Sequence, residues 1–214
     1  MKLQALIDEL TLPKDQTEWS LLGANLATLV MALWLNWQLI DLMVVYWFQS
    51  VVIGASYVLR MLQLEKFSTE NFTMNGRRVR PTTGAKWRVA GFFCVHFGFF
   101  HFVYAMFIFE GDIGGAAPNL SMGLGVACLA FLANHAFSYL HFRDLDRQGT
   151  PNIGTLMSTP YLRIVPMHLT IIFGAAIEVA GLGLLLFLGL KTISDILMHR
   201  VEHRIIGERA SAEL

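Results

Sequence analysis

Ionisable side chains recur every four residues near the carboxyl-terminal end of the chain. Lys191, Asp195, His199 and His203 follow the apolar run that begins at residue 182. On an α-helix a step of four residues turns by about 40° and rises by about 6 Å, so these groups form one stripe. Charged groups are costly in lipid, and we expect the stripe to face protein or a water-filled cavity.

Further histidines should reach the depth of this stripe from other helices. Counting about 1.5 Å of rise per residue from the nearest basic residue puts His96 and His135 about 12 Å inside one membrane surface, and His168 about 8 Å. The same count gives about 13 Å for Asp195 and about 8 Å for His199. Imidazole and carboxylate groups at one depth are suitable ligands for a divalent metal.

The predicted metal ligands are His96, His168, Asp195 and His199. Zinc is the preferred metal, with iron and manganese as alternatives. A zinc-bound water loses a proton readily, so Asp195 is also the predicted catalytic base. Four residues are expected to support this set: His135, Gln49, Lys191 and His101. Lys191 should pair with Asp195, which lies one helical turn further on.

The composition indicates which elements must position these groups. Of 214 residues, 55% are hydrophobic and 15% are charged, and the mean hydropathy is +0.51. Soluble domains carry about 25% charged residues, so the sequence predicts an all-α, polytopic transmembrane helix bundle. Its formal net charge is zero, which gives no electrostatic argument for binding nucleic acid. The expected partner is the lipid bilayer.

Six membrane spans are favoured over five. The predicted spans, each near the roughly 20 residues needed to cross a bilayer, are 20–37, 39–62, 87–109, 120–142, 161–180 and 182–204. The loops 65–86 and 143–160 are polar and contain basic residues, whereas the loop 110–119 has none. By the positive-inside rule both termini are cytoplasmic. Residues 1–19 are predicted as a surface helix or tail, 20–204 as the bundle and 205–214 as a tail.

Several segments carry a family resemblance. They are YWFQSVVIG (46–54), HFGFFHFVYAMF (96–107), NHAFSYL (134–140), PYLRIVPMHLTIIFG (160–174) and LKTISDILMH (190–199). Together they resemble a bacterial family of integral membrane proteins known only as a domain of unknown function. The resemblance implies an inner-membrane, multi-pass protein in which the histidines and Asp195 belong to a recurring pattern. A looser similarity is to the ceramidase and progestin-receptor superfamily of zinc-dependent membrane hydrolases, because His199 and His203 have its HxxxH spacing.

Three functions are compatible with these residues. The first is a metal-dependent hydrolase of a lipid or a membrane peptide, so whether the protein is an enzyme is left open. The second is a transporter or channel for protons or metal ions, in which Lys191 and Asp195 form a relay or gating pair. The third is haem binding, with His96 and His168 as axial ligands. The sequence makes no prediction about the oligomeric state.

Overall fold

The computed structural model describes most of the chain from residue 37 onwards. The described residues are 19, 23, 26, 30, 32, 34, 37–74, 76–110, 118–119, 121–178 and 183–212. At 141, 174–178, 184, 199 and 201–212 the description covers the backbone alone. The predicted span 20–37 therefore lies largely outside the described residues, as does nearly all of the predicted surface segment 1–19.

Six α-helices, one 3-10 helix and a short hairpin make up the described part. They are α1 (Leu39–Gln63), β1 (Thr73–Met74), β2 (Arg77–Arg78), α2 (Thr83–Phe109), α3 (Met122–Gln148), α4 (Ile153–Ser158), the 3-10 helix Thr159–Arg163, α5 (Ile164–Glu178) and α6 (Gly183–Ala212). The strands pair antiparallel, with Thr73 opposite Arg78.

Helices α1, α2 and α3 are long and apolar enough to cross a membrane. With 25 to 27 residues each, they measure about 40 Å at 1.5 Å per residue, more than the roughly 30 Å of a hydrocarbon core. Large apolar side chains point outward from them, among them Val95, Met122 and Phe137. An apolar exterior is what contact with lipid requires, so the prediction of a helical membrane protein is confirmed.

Helix α1 is the central element, since it packs most extensively against α2 and α3. Gly54 permits its close approach to α2, because a Cβ at this position would collide with the ring of Phe97. Trp47 Nε1 donates a hydrogen bond to the backbone oxygen of His101 at 2.8 Å across the same contact. In the first turn of α1, the buried Asp41 accepts hydrogen bonds from the backbone N–H groups of Gln38 and Asn119.

The prediction of a polar loop over 143–160 is wrong. Helix α3 continues to Gln148, and Asn152 then caps α4 by accepting from the N–H groups of Gly154 and Thr155. Charged residues do not end this helix, and one of them, Asp146, is buried against a cation of α1. The fifth predicted span also begins later than expected, since Tyr161 lies in the 3-10 helix and α5 starts at residue 164.

Gly76 lies between the paired strands β1 and β2. Gly76 has a φ angle of 73°, which favours glycine. Asn75 itself lies outside the described residues. At the carboxyl-terminal end, α6 runs to Ala212, so residues 205–212 of the predicted tail are helical.

Candidate functional site

Asp195 lies at the centre of a group of buried charges. Its Oδ1 accepts a hydrogen bond from Arg163 Nη1 at 2.8 Å, and its Oδ2 accepts one from Lys191 Nζ at 2.7 Å. The side chains of Arg163, Asp195 and Lys191 are only 6%, 11% and 15% exposed. One carboxylate is thus shared by a cation of the 3-10 helix and a cation of α6. We call these three side chains the Asp195 centre.

Helix α1 supplies the other wall of the Asp195 centre. The guanidinium of Arg163 lies 4.4 Å from the ring centroid of Tyr46, and Lys191 Nζ lies 5.7 Å from the same centroid. Gln49, one helical turn from Tyr46, accepts a hydrogen bond from Arg163 Nη2 at 3.2 Å. Two nitrogen atoms of the guanidinium therefore donate hydrogen bonds and its face packs on the ring of Tyr46. Its third nitrogen, Nε, is buried and is left without a hydrogen-bond partner among the described residues.

The local sequence explains how these groups meet. Lys191 and Asp195 are four residues apart on α6, which places them on one face. Pro160 stands in the first turn of the 3-10 helix, and Arg163 ends that helix just before α5 begins. Ser194 Oγ donates a hydrogen bond to the backbone oxygen of Leu162 at 2.6 Å, which fixes α6 against the 3-10 helix. The ion pair is therefore reinforced by a neighbouring hydrogen bond between the same two elements.

Each histidine whose side chain is described contacts a hydroxyl group. The pairs are His96 Nδ1 with the hydroxyl of Tyr161 at 2.8 Å, His101 Nε2 with Ser50 at 2.8 Å, His135 Nε2 with Ser56 at 3.0 Å and His168 Nδ1 with Tyr104 at 3.3 Å. The pairs join different elements: two hold α1 to α2 or α3, and two hold α2 to the 3-10 helix or α5. They are distributed through the bundle rather than directed at one point.

The hydrogen bonds determine two of the histidine tautomers. His101 Nδ1 lies 2.8 Å from the backbone oxygen of Phe97, which can only accept, so Nδ1 carries the hydrogen and a neutral ring accepts from Ser50 at Nε2. Both ring nitrogens of His101 are thus occupied. Ser56 donates to the backbone oxygen of Ile53 at 2.7 Å and therefore accepts from His135 Nε2.

The predicted metal ligands do not form a metal site within the described residues. These residues contain no group of three or more His, Cys, Asp and Glu placed to hold an ion. Asp195 contacts two cations, and the exposed His96 and His168 each contact the ring of Phe100. The side chain of His199 lies outside the described residues. Metal binding therefore stays a prediction. Of the four residues expected to support the metal ligands, Gln49 and Lys191 contact the groups of the Asp195 centre.

A second buried ion pair joins α1 to α3. Arg60 Nε and Nη2 donate to the two carboxylate oxygens of Asp146 at 2.6 and 3.3 Å, and the side chains are 5% and 2% exposed. The rings of Tyr57 and Phe142 lie 4.6 and 5.0 Å from the same guanidinium. We call this pair the Arg60–Asp146 clamp. A cavity of about 150 Å³ beside it is lined in part by Ser56, His135 and Tyr139.

Comparison with known proteins assigns the family. A model of a family of unknown function (DUF6498) matches residues 9–212. The chain belongs to this family. No curated protein and no solved structure matches it. The resemblance inferred from the sequence segments is thereby confirmed, whereas the looser similarity to zinc-dependent membrane hydrolases stays a prediction.

Sequence reasoning found part of the Asp195 centre in this family member and missed the rest. The pairing of Lys191 with Asp195 is confirmed. Arg163 is the basic residue from which the depth of His168 is counted, so its position predicts only a membrane boundary, and Tyr46 is not among the predicted site residues. One signal was available for Tyr46, because it lies three residues before Gln49 and so shares its helical face. The pairing of Arg163 with Asp195 joins positions 32 residues apart and had no local signal.

Proposed function

We propose that the protein carries protons across the membrane through Asp195. The observation that carries this proposal is the sharing of one buried carboxylate between Arg163 and Lys191. Ionisable groups within membrane bundles commonly mark ion pathways and proton relays. A proton is a better candidate than a divalent metal cation at Asp195, because it adds one positive charge beside Arg163 and Lys191 instead of two and is therefore repelled less.

Protonation of Asp195 would change how the elements are held together. The contact of Arg163 with Asp195 joins the 3-10 helix to α6, whereas the contact of Lys191 with Asp195 lies within α6. A neutral Asp195 would remove the negative charge that Arg163 and Lys191 share above the ring of Tyr46. Their repulsion would favour separation of α6 from the 3-10 helix. Proton binding is thus coupled to a movement of two packed elements, as alternating access requires.

A proton flux assay tests this proposal directly. Protein is reconstituted into liposomes that contain a pH-sensitive dye, with valinomycin and potassium to set the membrane potential. We expect faster internal acidification than in protein-free liposomes, loss of the difference in Asp195→Asn, and its retention in Asp195→Glu. The matched control is Asp144→Asn, because Asp144 is half-exposed and pairs with Arg143 at the surface of α3. A wild-type rate equal to that of empty liposomes would refute the proposal.

For the topology, we infer six spans with both termini in the cytoplasm of a bacterial cell. Helices α1 to α3 support three of them, and the apolar helix α5, the apolar start of α6 (183–190) and the apolar segment 20–37 would supply the other three. A carboxyl-terminal fusion to green fluorescent protein should fluoresce, and a fusion to alkaline phosphatase should be inactive. The reverse pair of results would place the carboxyl terminus outside and favour five spans.

The other two functions have less support. A metal-dependent hydrolase needs ligands that converge, and the described histidines each bond to a different hydroxyl group. Haem ligation by His96 and His168 would need both imidazoles on one iron, whereas each of them contacts the ring of Phe100 and the hydroxyl of a different tyrosine. Hydrolysis of a lipid or membrane peptide therefore stays a prediction of the sequence, to be tested through the metal content of the protein.

A further inference from the structure

The hairpin between α1 and α2 is firmly attached to the rest of the protein. Val79 N–H donates to the backbone oxygen of Phe72, and Thr69 Oγ1 donates to the backbone oxygen of Val79 at 2.7 Å. The ring of Phe72 lies against Gly154 of α4, where a Cβ would come within 2.7 Å of it. Asn152 Nδ2 also donates to the backbone oxygen of Glu70 at 2.9 Å. The hairpin is therefore a fixed platform beside α4.

A basic cleft of about 750 Å³ lies between this platform and the start of α2. Four exposed arginines line it: Arg77, Arg78, Arg80 and Arg88. The remaining lining residues, Met74, Val79 and Thr82, are uncharged, and no acidic side chain within the described part of the chain lines the cleft. Four guanidinium groups around one cleft provide paired donors that match the oxygens of a phosphate group.

The cleft lies where a membrane-spanning helix begins. Thr82 caps α2 by accepting from the N–H of Ala85, and Trp87 in the second turn is 60% exposed. Exposed tryptophan is typical of the boundary between lipid headgroups and hydrocarbon. Arg88 is one residue further along, so the cleft is at the level of the headgroups. Its apolar lining residues, Met74 and Val79, favour a ligand that is partly apolar.

We propose that this arginine cleft binds the phosphate-bearing headgroup of an anionic phospholipid from the surrounding bilayer. The charge of the cleft selects an anion, and its position beside Trp87 makes a membrane lipid the source. Basic residues at a membrane surface contribute about 1 kcal/mol each to the binding of anionic lipids, which is about a five-fold change in affinity per arginine. The cleft lies apart from the Asp195 centre, so the proposal does not depend on proton transport.

Native mass spectrometry of the full-length protein in mild detergent tests this proposal. The protein is titrated with phosphatidylglycerol and, separately, with phosphatidylcholine, which has a phosphate but no net charge. We expect preferential binding of phosphatidylglycerol and about 25-fold weaker binding by Arg77→Gln/Arg78→Gln. The variant Arg80→Gln/Arg88→Gln should lose binding to the same extent. Both of its substitutions lie outside the paired strands, so they leave the strand pairing intact. The matched control Lys66→Gln removes an exposed cation of the same connection that does not line the cleft.

Two outcomes would overturn the proposal. Equal binding of the two lipids, or equal losses in Lys66→Gln and in the arginine variants, would mean that the cleft does not select anionic headgroups. Displacement of phosphatidylglycerol by inorganic phosphate at a similar concentration would identify a soluble phosphate compound as the ligand instead. The melting temperature of each variant is measured as a control. A variant that melts at the wild-type temperature is folded, so its loss of lipid binding is not caused by unfolding.

Discussion

The Asp195 centre and the Arg60–Asp146 clamp are both buried and both join separate elements, yet they differ in how charge is matched. In the clamp one guanidinium meets one carboxylate through two hydrogen bonds. In the Asp195 centre one carboxylate is divided between two cations, and Arg163 Nε has no hydrogen-bond partner within the described residues. A pair joined by two parallel hydrogen bonds has a single preferred arrangement. A carboxylate shared by two cations has more than one, as a functional switch requires.

The largest expected effect is on stability, at the clamp. Asp146→Leu should lower the free energy of unfolding by about 3–5 kcal/mol, because Arg60 would be left buried without its carboxylate. Thermal unfolding in detergent measures the change. Asp144→Leu, two residues away, removes a surface pair and should cost no more than about 1 kcal/mol. Similar melting temperatures for the two variants would contradict the distinction between the buried Arg60–Asp146 clamp and the surface pair.

A smaller loss of stability is expected at the Asp195 centre. Asp195→Asn should cost about 2 kcal/mol, because Asp195 is more exposed than Asp146 and an amide oxygen still accepts a hydrogen bond. The same variant should abolish proton flux, whereas a moderate variant of the clamp, Asp146→Asn, should retain it in the fraction that folds. If the proton flux of the Asp195 and Asp146 variants instead fell in proportion to their loss of stability, the two regions would not differ in role.

A second carboxylate should partly compensate for the loss of the first. In the Asp195→Asn background, Gln49→Glu places a carboxylate where Gln49 Oε1 now lies, 3.2 Å from Arg163 Nη2. We expect about 1 kcal/mol of stability to return, and a double-mutant cycle measures this coupling. Gln49→Ala serves as the control and should give no recovery. A Gln49→Glu change that further destabilises Asp195→Asn would show that Arg163 is already neutralised by other groups.

The smallest expected effect concerns metal. Because both oxygens of Asp195 accept from cations, Asp195→Ala should leave the metal content of purified protein unchanged. Mass spectrometric metal analysis of wild type, Asp195→Ala, His96→Ala, His168→Ala and His199→Ala provides the measurement. Near-stoichiometric zinc, iron or manganese that disappears in all four variants would instead establish the predicted ligand set. It would also restore the hydrolase as the leading hypothesis.

The sequence predicted the helices well where a single segment determines them. The span 39–62 corresponds to α1 within a residue at its end, because its apolar residues and its flanking polar groups are local. The stretch 143–160 was misjudged, since Asp146 reads as solvent-exposed until its partner Arg60 is known. The same limit applies to Arg163. Depth along a helix does not determine which face a side chain occupies, so counting residues from the membrane boundary could not show that each described histidine contacts a different hydroxyl group.

Helix α6 is a single rod of 30 residues, about 45 Å long at the usual rise. Asp195 lies about 18 Å from its start and about 26 Å from its end by the same rise. The contact with Arg163 therefore divides α6 into two segments of unequal length. A tilt of about 10° at this contact would displace the far end by about 4–5 Å, given the length of the longer segment. On the proposal that protonation of Asp195 separates α6 from the 3-10 helix, a change of charge at this one carboxylate would move the carboxyl-terminal end of α6.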